Sequence, residues 1–270
     1  MFDSRGLAAE VKAAQDKRHE LKPLSARVPG FDVAQAYAVA HLVHEARMKE
    51  GAKPVGRKIG FTNPGIWDTY GVHEPIWGYV YDSTVVQRAS ERTTCRIGRF
   101  AEPKIEPEIV LHFAAAPSVG AAPAEILNCV DWVAHGFEIV QSHYPGWKFA
   151  LADTIADGAL HGRLLVGSQR AVAEVAKDVV AALESFSLSL ACNGKEREVG
   201  RGSNVLGSPL LAIAHLVSVL AKQPDYQPLQ AGELVTTGTI TAAYDIRPGE
   251  TWRSELKGIA LQGLTVEFVD

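Results

Sequence analysis

The sequence predicts an α+β protein in which a helical N-terminal segment leads into a mostly β body. Three observations carry that reading. The first fifty residues show helical apolar periodicity with recognisable caps. After Pro54 the texture changes to short apolar runs punctuated by Gly, Pro, Asn and Asp. Those runs are irregularly spaced and do not alternate regularly with helices, which argues against a TIM barrel or a Rossmann arrangement. The 270 residues are 47% hydrophobic and 21% charged, an ordinary globular composition. A chain of this length buries roughly 70–75% of its unfolded surface, enough for one large core or two modest ones.

In chain order, Leu7, Val11 and Ala14 fall on one face of a helix opened by Asp3 or Ser4. Pro23 and Pro29-Gly30 break the pattern. Asp32 and Gln35 have capping-box spacing ahead of a second helix carrying Ala36, Tyr37, Ala40, Val43 and Met48, with Gly51 placed as its C′ residue. His41 and His44 on this helix have no nearby carboxylates and read as packing or surface residues. Strands are expected at Val55 to Phe61, Gly78 to Tyr81, Lys104 to Phe113 and Phe137 to Val140. Phe186, Leu188 and Leu190 alternate with serines before Asn193-Gly194, a type I′ hairpin dipeptide. Leu234 to Thr241, Trp252 to Leu256 and Leu264 to Val269 supply further strands. Helices are expected near Pro123–Val133 and Pro209–Ala221, each with proline in its first turn, and by propensity over Ala171 to Glu184. The whole reads as one unit, 1–270, with residues 1–52 as the helical segment and 53–270 as the β-rich body.

A formal charge of -4 gives no basic bias, which argues against nucleic acid as a partner. Cys95, Cys129 and Cys192 are scattered and odd in number, so neither a disulfide framework nor a thiolate metal site is indicated. The N-terminus lacks an apolar signal core, and no run reaches the roughly 20 apolar residues of a membrane span. The expectation is a cytoplasmic protein without a membrane segment.

Glu106 and Glu108 stand at i and i+2 in Lys104-Ile105-Glu106-Pro107-Glu108-Ile109, and so project from one face of a strand. Two carboxylates beside a core repel each other and resist desolvation, and a divalent cation relieves both costs. Proline at 107 removes one backbone donor, so the strand is an edge or irregular there. Glu138 is a third glutamate inside an apolar run, Gly136-Phe137-Glu138-Ile139-Val140. Together the three would supply oxygen ligands for a metal and leave positions for substrate. Solvated glutamates on a sheet face are the competing reading. Lys58 sits between glycines in Gly56-Arg57-Lys58-Ile59-Gly60, a setting that permits close approach of a ligand. Asp153 and Asp157 share a helix face if that segment is helical, although capping would explain them as well. Thr236-Thr237-Gly238-Thr239 has the look of an anion-holding turn. No P-loop, GxSxG, HExxH or dinucleotide fingerprint is present.

The ordered set of motifs resembles the 2-keto-4-pentenoate hydratase and 4-oxalocrotonate decarboxylase family of the fumarylacetoacetate hydrolase superfamily. The resemblance rests on Lys58-Ile59-Gly60-Phe61-Thr62-Asn63, Gly71-Val72-His73-Glu74-Pro75, Glu106-Pro107-Glu108 and Glu138-Ile139-Val140. It continues through Asp153-Thr154-Ile155-Ala156-Asp157, Gly207-Ser208-Pro209 and Gly232 to Thr239. It implies a mixed β-sheet roll or barrel of the fumarylacetoacetate hydrolase C-terminal type with flanking helices, assembled as a homo-oligomer. It implies Mg2+ or Mn2+ on Glu106, Glu108 and Glu138, and catalytic roles for Lys58 and Asp82. Thr62, Asp157, Thr237, Gly238 and Thr239 would contact a small 2-oxo or 2-hydroxy carboxylate substrate. The implied activity is that of a lyase hydrating 2-hydroxy-2,4-dienoates in aromatic meta-cleavage catabolism. The alternatives are a 4-oxalocrotonate-type decarboxylase and an acylpyruvate-type C–C hydrolase, for which the adjacent His73-Glu74 pair is the mark to examine. A scaffold with a dead site is opposed by the retained glutamates, Lys58 and Asp82.

Overall fold

The structure is a computed structural model that describes residues 2–87 and 92–270. Helices α1 (Ser4–Lys17) and α2 (Val33–Lys49) come first. Strands β1 (Pro54–Gly60) and β2 (Ile76–Tyr81) follow, joined by a loop containing the short helix α3 (Trp67–Tyr70). The chain continues through β3 (Val85–Val86), β4 (Arg92–Arg96), β5 (Lys104–Phe113), α4 (Pro123–Leu127), β6 (Val130–Val140), α5 (Leu151–Ala156) and β7 (His161–Val166). Next are β8 (Arg170–Ala171), α6 (Val172–Val175), α7 (Val179–Ser185), β9 (Ser187–Cys192), β10 (Lys195–Arg201) and α8 (Pro209–Leu220). Strands β11 (Leu234–Thr236), β12 (Tyr244–Asp245), β13 (Thr251–Lys257) and β14 (Thr265–Val269) close the chain.

The α+β expectation holds. Among the described residues nine strands form one mixed sheet in the order β2-β1-β11-β5-β6-β7-β3, with β12 also on β5 and β8 also on β6. Five form a second, β10-β9-β13-β14-β4. Strands β1 and β11 run parallel, while β5 and β6 form a long antiparallel pair in which Glu106 faces Glu138. Buried Leu7, Val11, Val39 and Leu24 of the N-terminal segment belong to the same apolar cluster as Ile59, Phe137 and Phe268 of the β body.

Local chemistry accounts for the boundaries. The Asp3 carboxylate accepts from Gly6 N at 2.9 Å and starts α1. Asp32 and Gln35 exchange side-chain and backbone hydrogen bonds at the start of α2, the expected capping box. Gly51 follows the helix with φ +95°. Asn193 and Gly194 both have positive φ, 51° and 78°, as a type I′ turn requires.

Three expectations need correction. The helix from Pro123 ends at Leu127, and Val130 to Val133 already belong to β6, where Trp132, Val133 and Ala134 pair with β5. Residues 171–184 are not one helix: Ala176 is extended and Asp178 caps a second helix by accepting from Ala181 N at 3.1 Å. Strand β11 stops at Thr236 rather than Thr241, because the chain turns at Gly238 (φ +99°). That turn explains Pro107. The partner of β5 changes there from β11, opposite 110–112, to β12, opposite 104–105. The Pro107 carbonyl accepts from Ile240 N at 2.9 Å in the gap between them. The strand is therefore central but irregular, and no ladder bond is lost to the missing N–H. The apolar segment 202–220 is not one continuous α-helix: a 3-10 turn at Gly202–Asn204 precedes the twelve-residue α8, which is capped by Ser208 and has seven buried residues.

Candidate metal centre and active site

Glu106 and Glu108 leave β5 on one face, and the register of β6 sets Glu138 beside Glu106. The three carboxylates come together so that one ligand oxygen from each lies within 4.8 Å of the others. Glu108 and Glu138 are wholly buried. Lys58 reaches the cluster from β1: its Nζ is 3.4 Å from Glu138 Oε2 and donates to the Ala159 carbonyl at 2.9 Å. The close approach of Ala159 depends on Gly78 in β2, where a Cβ would lie 2.8 Å from the Gly158 carbonyl oxygen.

Electrostatics follow from this crowding. Burial, together with the charge of Glu138, pushes the Glu106 carboxyl up to about 7 although Lys58 opposes it. Burial and the two neighbouring carboxylates drive Glu108 well above the usual carboxylate range. Glu138 goes the other way. Burial would raise it, but Lys58 and His161 hold it below its ordinary value. Burial by itself would lower Lys58, and the three glutamates reverse that and raise it.

A divalent cation fits these residues. Three carboxylates and one ammonium leave a formal surplus of two negative charges in a buried space. Glu108 Oε1 is buried without a hydrogen-bond partner, and Glu138 Oε2 has only its 3.4 Å ion pair with Lys58, a costly condition that a cation would relieve. All the donors are hard oxygens, which suits Mg2+, Mn2+ or Ca2+.

Beside the cluster lies a cavity of about 20 Å³ lined by Lys58, Glu106 and Thr239 together with Phe61, Tyr70 and Trp147. That is room for one water. Among the described residues eight non-glycine positions have positive φ. Four of them, Phe61, Trp147, Ala159 and Leu160, line this small space. Such concentrated backbone strain is a mark of functional sites.

The other expected site residues divide. Thr239 lines the cavity. Gly238 N donates to Glu108 Oε2 at 2.8 Å, so the expected anion-holding turn grips a carboxylate of the protein itself. The hydroxyls of Thr62 and Thr237 donate to the carbonyls of Thr237 and Ile109, at 2.9 and 3.1 Å, and brace that turn. Asp157 is elsewhere: its buried carboxylate faces His143 Nδ1 at 2.8 Å and accepts from Gln15 Nε2 at 3.1 Å. It lines a separate cavity of about 320 Å³ between the N-terminal helices and β2. Asp153 is also structural, accepting from Ser25 N and Oγ and from Ala150 N. Asp82 is exposed, and its carboxylate accepts from Ser83 N and Lys53 N at 2.9 and 3.2 Å. The structure thus keeps it in a surface turn, apart from the glutamates. His73 and Glu74 are likewise exposed. His44 stacks on Tyr79 at 3.7 Å, and burial lowers it to about 4.

His161 is the residue that sequence reasoning missed. Its Nδ1 lies 2.7 Å from Glu138 Oε1 and its Nε2 lies 2.8 Å from Thr84 Oγ1. A carboxylate only accepts, so Nδ1 donates and fixes the rotamer of Glu138. The signal available was a histidine entering an apolar strand, with no partner nearby in sequence.

The chain matches the fumarylacetoacetate (FAA) hydrolase C-terminal family over residues 70–267. It is 30% identical to a 4-oxalocrotonate decarboxylase of Pseudomonas putida over 255 residues, covering 94% of this chain and 92% of the relative. It is 28% identical to a 2-keto-4-pentenoate hydratase of Paraburkholderia xenovorans (strain LB400) over 253 residues, covering 93% and 90%. Among solved structures, 4-oxalocrotonate decarboxylase from Pseudomonas putida G7, complexed with magnesium and adipate, superposes with a TM-score of 0.88 at 27% identity. The match covers 98% of this chain and 97% of that one.

Proposed function

From membership of the fumarylacetoacetate hydrolase C-terminal family, to which this chain belongs, we propose that it is a divalent-metal-dependent lyase. Its substrates are 2-hydroxy-2,4-dienoates and their 2-oxo-enoate tautomers, to which it adds water in the manner of a 2-keto-4-pentenoate hydratase. The observation that carries the reading is the Glu106, Glu108 and Glu138 cluster, with an unpartnered buried Glu108 oxygen and a buried lysine beside Glu138.

Glu106, Glu108 and Glu138 would hold Mg2+ or Mn2+. Bound there, the metal would supply a Lewis acid for the carboxylate and 2-oxo oxygen of the substrate. The protein's own groups account for the rest. Gly238 N and His161 Nδ1 hold Glu108 and Glu138 in place. Lys58 Nζ, kept protonated by the glutamates and aimed by the Ala159 carbonyl, is placed to give a proton to the substrate carbon chain and to be reprotonated by the water that adds to it. Thr239 lines the space beside it, and Phe61, Tyr70 and Trp147 form its aromatic wall. No comparable position belongs to Asp82, so the catalytic proton transfers are assigned to Lys58.

A second reading, decarboxylation of a 4-oxalocrotonate-type acid, is favoured by the 0.88 TM-score to a decarboxylase structure. The test is incubation with 2-hydroxypenta-2,4-dienoate and with 4-oxalocrotonate, each with and without Mg2+, with products weighed by mass spectrometry. Added water supports the first reading and lost CO2 the second. Two carbon fragments would point to the C–C hydrolase instead. Glu106→Ala and Glu108→Ala should each abolish turnover, and full activity in either folded variant would refute the metal site.

A further inference from the structure

Lys104 lies on the same face of β5 as Glu106 and Glu108, two residues before the first of them, which is roughly 7 Å along the strand. Its side chain is only 15% exposed, and Nζ sits 4.6 Å from the Trp147 ring centroid and 5.9 Å from that of Tyr70. Both rings line the small cavity that also contains Lys58 and Glu106. Lys104 is not itself a lining residue. It stands at the wall that must part, because about 20 Å³ admits no 2-oxo acid.

Its ionic partner is weak. Among the described residues Lys104 pairs with Asp245 at 3.2 Å, and that aspartate side chain is 74% exposed. An ion pair with so solvated a member contributes little. A carboxylate arriving from the cavity side would meet the same ammonium between two aromatic faces, where desolvation strengthens the attraction.

We propose that Lys104 is a specificity-determining residue that exchanges Asp245 for the distal carboxylate of a dicarboxylic substrate whose 2-oxo end lies at the glutamate cluster. The inference rests on the function proposed above. It concerns which acids bind, whether the chemistry that follows adds water or releases CO2. Asp245 is then a built-in competitor: it holds Lys104 when a monocarboxylate occupies the site and yields when a second carboxylate arrives.

Calorimetric titration of the Mg2+-loaded full chain with adipate and with hexanoate tests this. The wild type should bind adipate more tightly than hexanoate. Lys104→Met should weaken adipate roughly tenfold or more and leave hexanoate within about twofold. Lys104→Arg should restore most of the preference, and Asp245→Asn should tighten adipate by freeing the cation. Equal weakening of both acids in Lys104→Met would show a mere wall residue and overturn the proposal, as would an unchanged adipate affinity. Asp245→Asn covers the case in which Lys104→Met fails to fold, since weaker or unchanged adipate binding there also overturns it. Preference for adipate without turnover of 2-hydroxypenta-2,4-dienoate or of 4-oxalocrotonate would instead refute the lyase reading and leave the Lys104 assignment standing.

Discussion

The His161 ring makes a hydrogen bond at each nitrogen and so fixes Glu138 without touching any other glutamate of the cluster. Partners of metal ligands of this kind are worth about 10–100-fold in metal affinity. His161→Ala should therefore lower Mg2+ affinity by that order in calorimetry while the far-ultraviolet circular dichroism stays unchanged. His161→Asn, whose amide N–H can still reach Glu138, should lose less. A second residue-scale expectation concerns acid. Burial lowers His44 to about 4 from its ordinary value, so between pH 6.5 and 4 the unfolded chain binds a proton that the folded chain refuses. Its contribution to stability is complete above the unfolded pKa and is lost as pH falls through that window. The difference in melting temperature between wild type and His44→Gln should shrink from pH 7 to pH 4, and a constant difference would refute the assignment. The glutamates were legible in the sequence because a charge inside an apolar strand is conspicuous. His161 was not, since what makes it important is a carboxylate 23 positions away that only the β6–β7 pairing brings near.

Elements show the same divide between local and distant causes. The capping box of α2 and the Asn193-Gly194 turn are written in residues a few positions apart, and both form as the sequence indicates. The end of β11 is decided by what its continuation must do. Residues 237–241 leave the sheet so that Gly238 N can meet Glu108, and a Cβ at 238 would collide with the Thr62 hydroxyl and crowd the Ile59 carbonyl. Gly238→Ala should lower stability by about 1–3 kcal/mol, through a backbone conformation hostile to L side chains. It should weaken Mg2+ binding as well, because the Glu108 carboxylate loses its donor. Loss of stability with metal affinity intact would separate the turn from the site. The extension of β6 back to Val130 was illegible for a related reason. Residues 128–133 have no strong period of their own, and it is β5 that recruits them.

The whole molecule is bound together by contacts that join the N-terminal helices to the β body. Arg18 donates to the Gly98 carbonyl at 2.6 Å, Leu21 N donates to the His143 carbonyl at 2.7 Å, and Asp153 holds Ser25 through two hydrogen bonds. With one apolar cluster spanning both parts, calorimetry should show a single unfolding transition. Asp153→Ala should move its midpoint down by several degrees, at about 2–4 °C per kcal/mol for chains near this size. Two resolved transitions would instead mean that residues 1–52 fold independently.

The pairing of Glu106 with Glu138 across β5 and β6 has a bearing on time rather than on energy. Ligands carried by loops separate whenever a loop fluctuates, but these two stand opposite one another on the central ladder of a nine-stranded sheet. Their backbone amides can exchange with deuterium only when that ladder opens, an event that in central strands approaches global unfolding. The slowest-exchanging amides of the protein should thus include those around residues 106 and 138, and the cluster should remain assembled for as long as the chain stays folded.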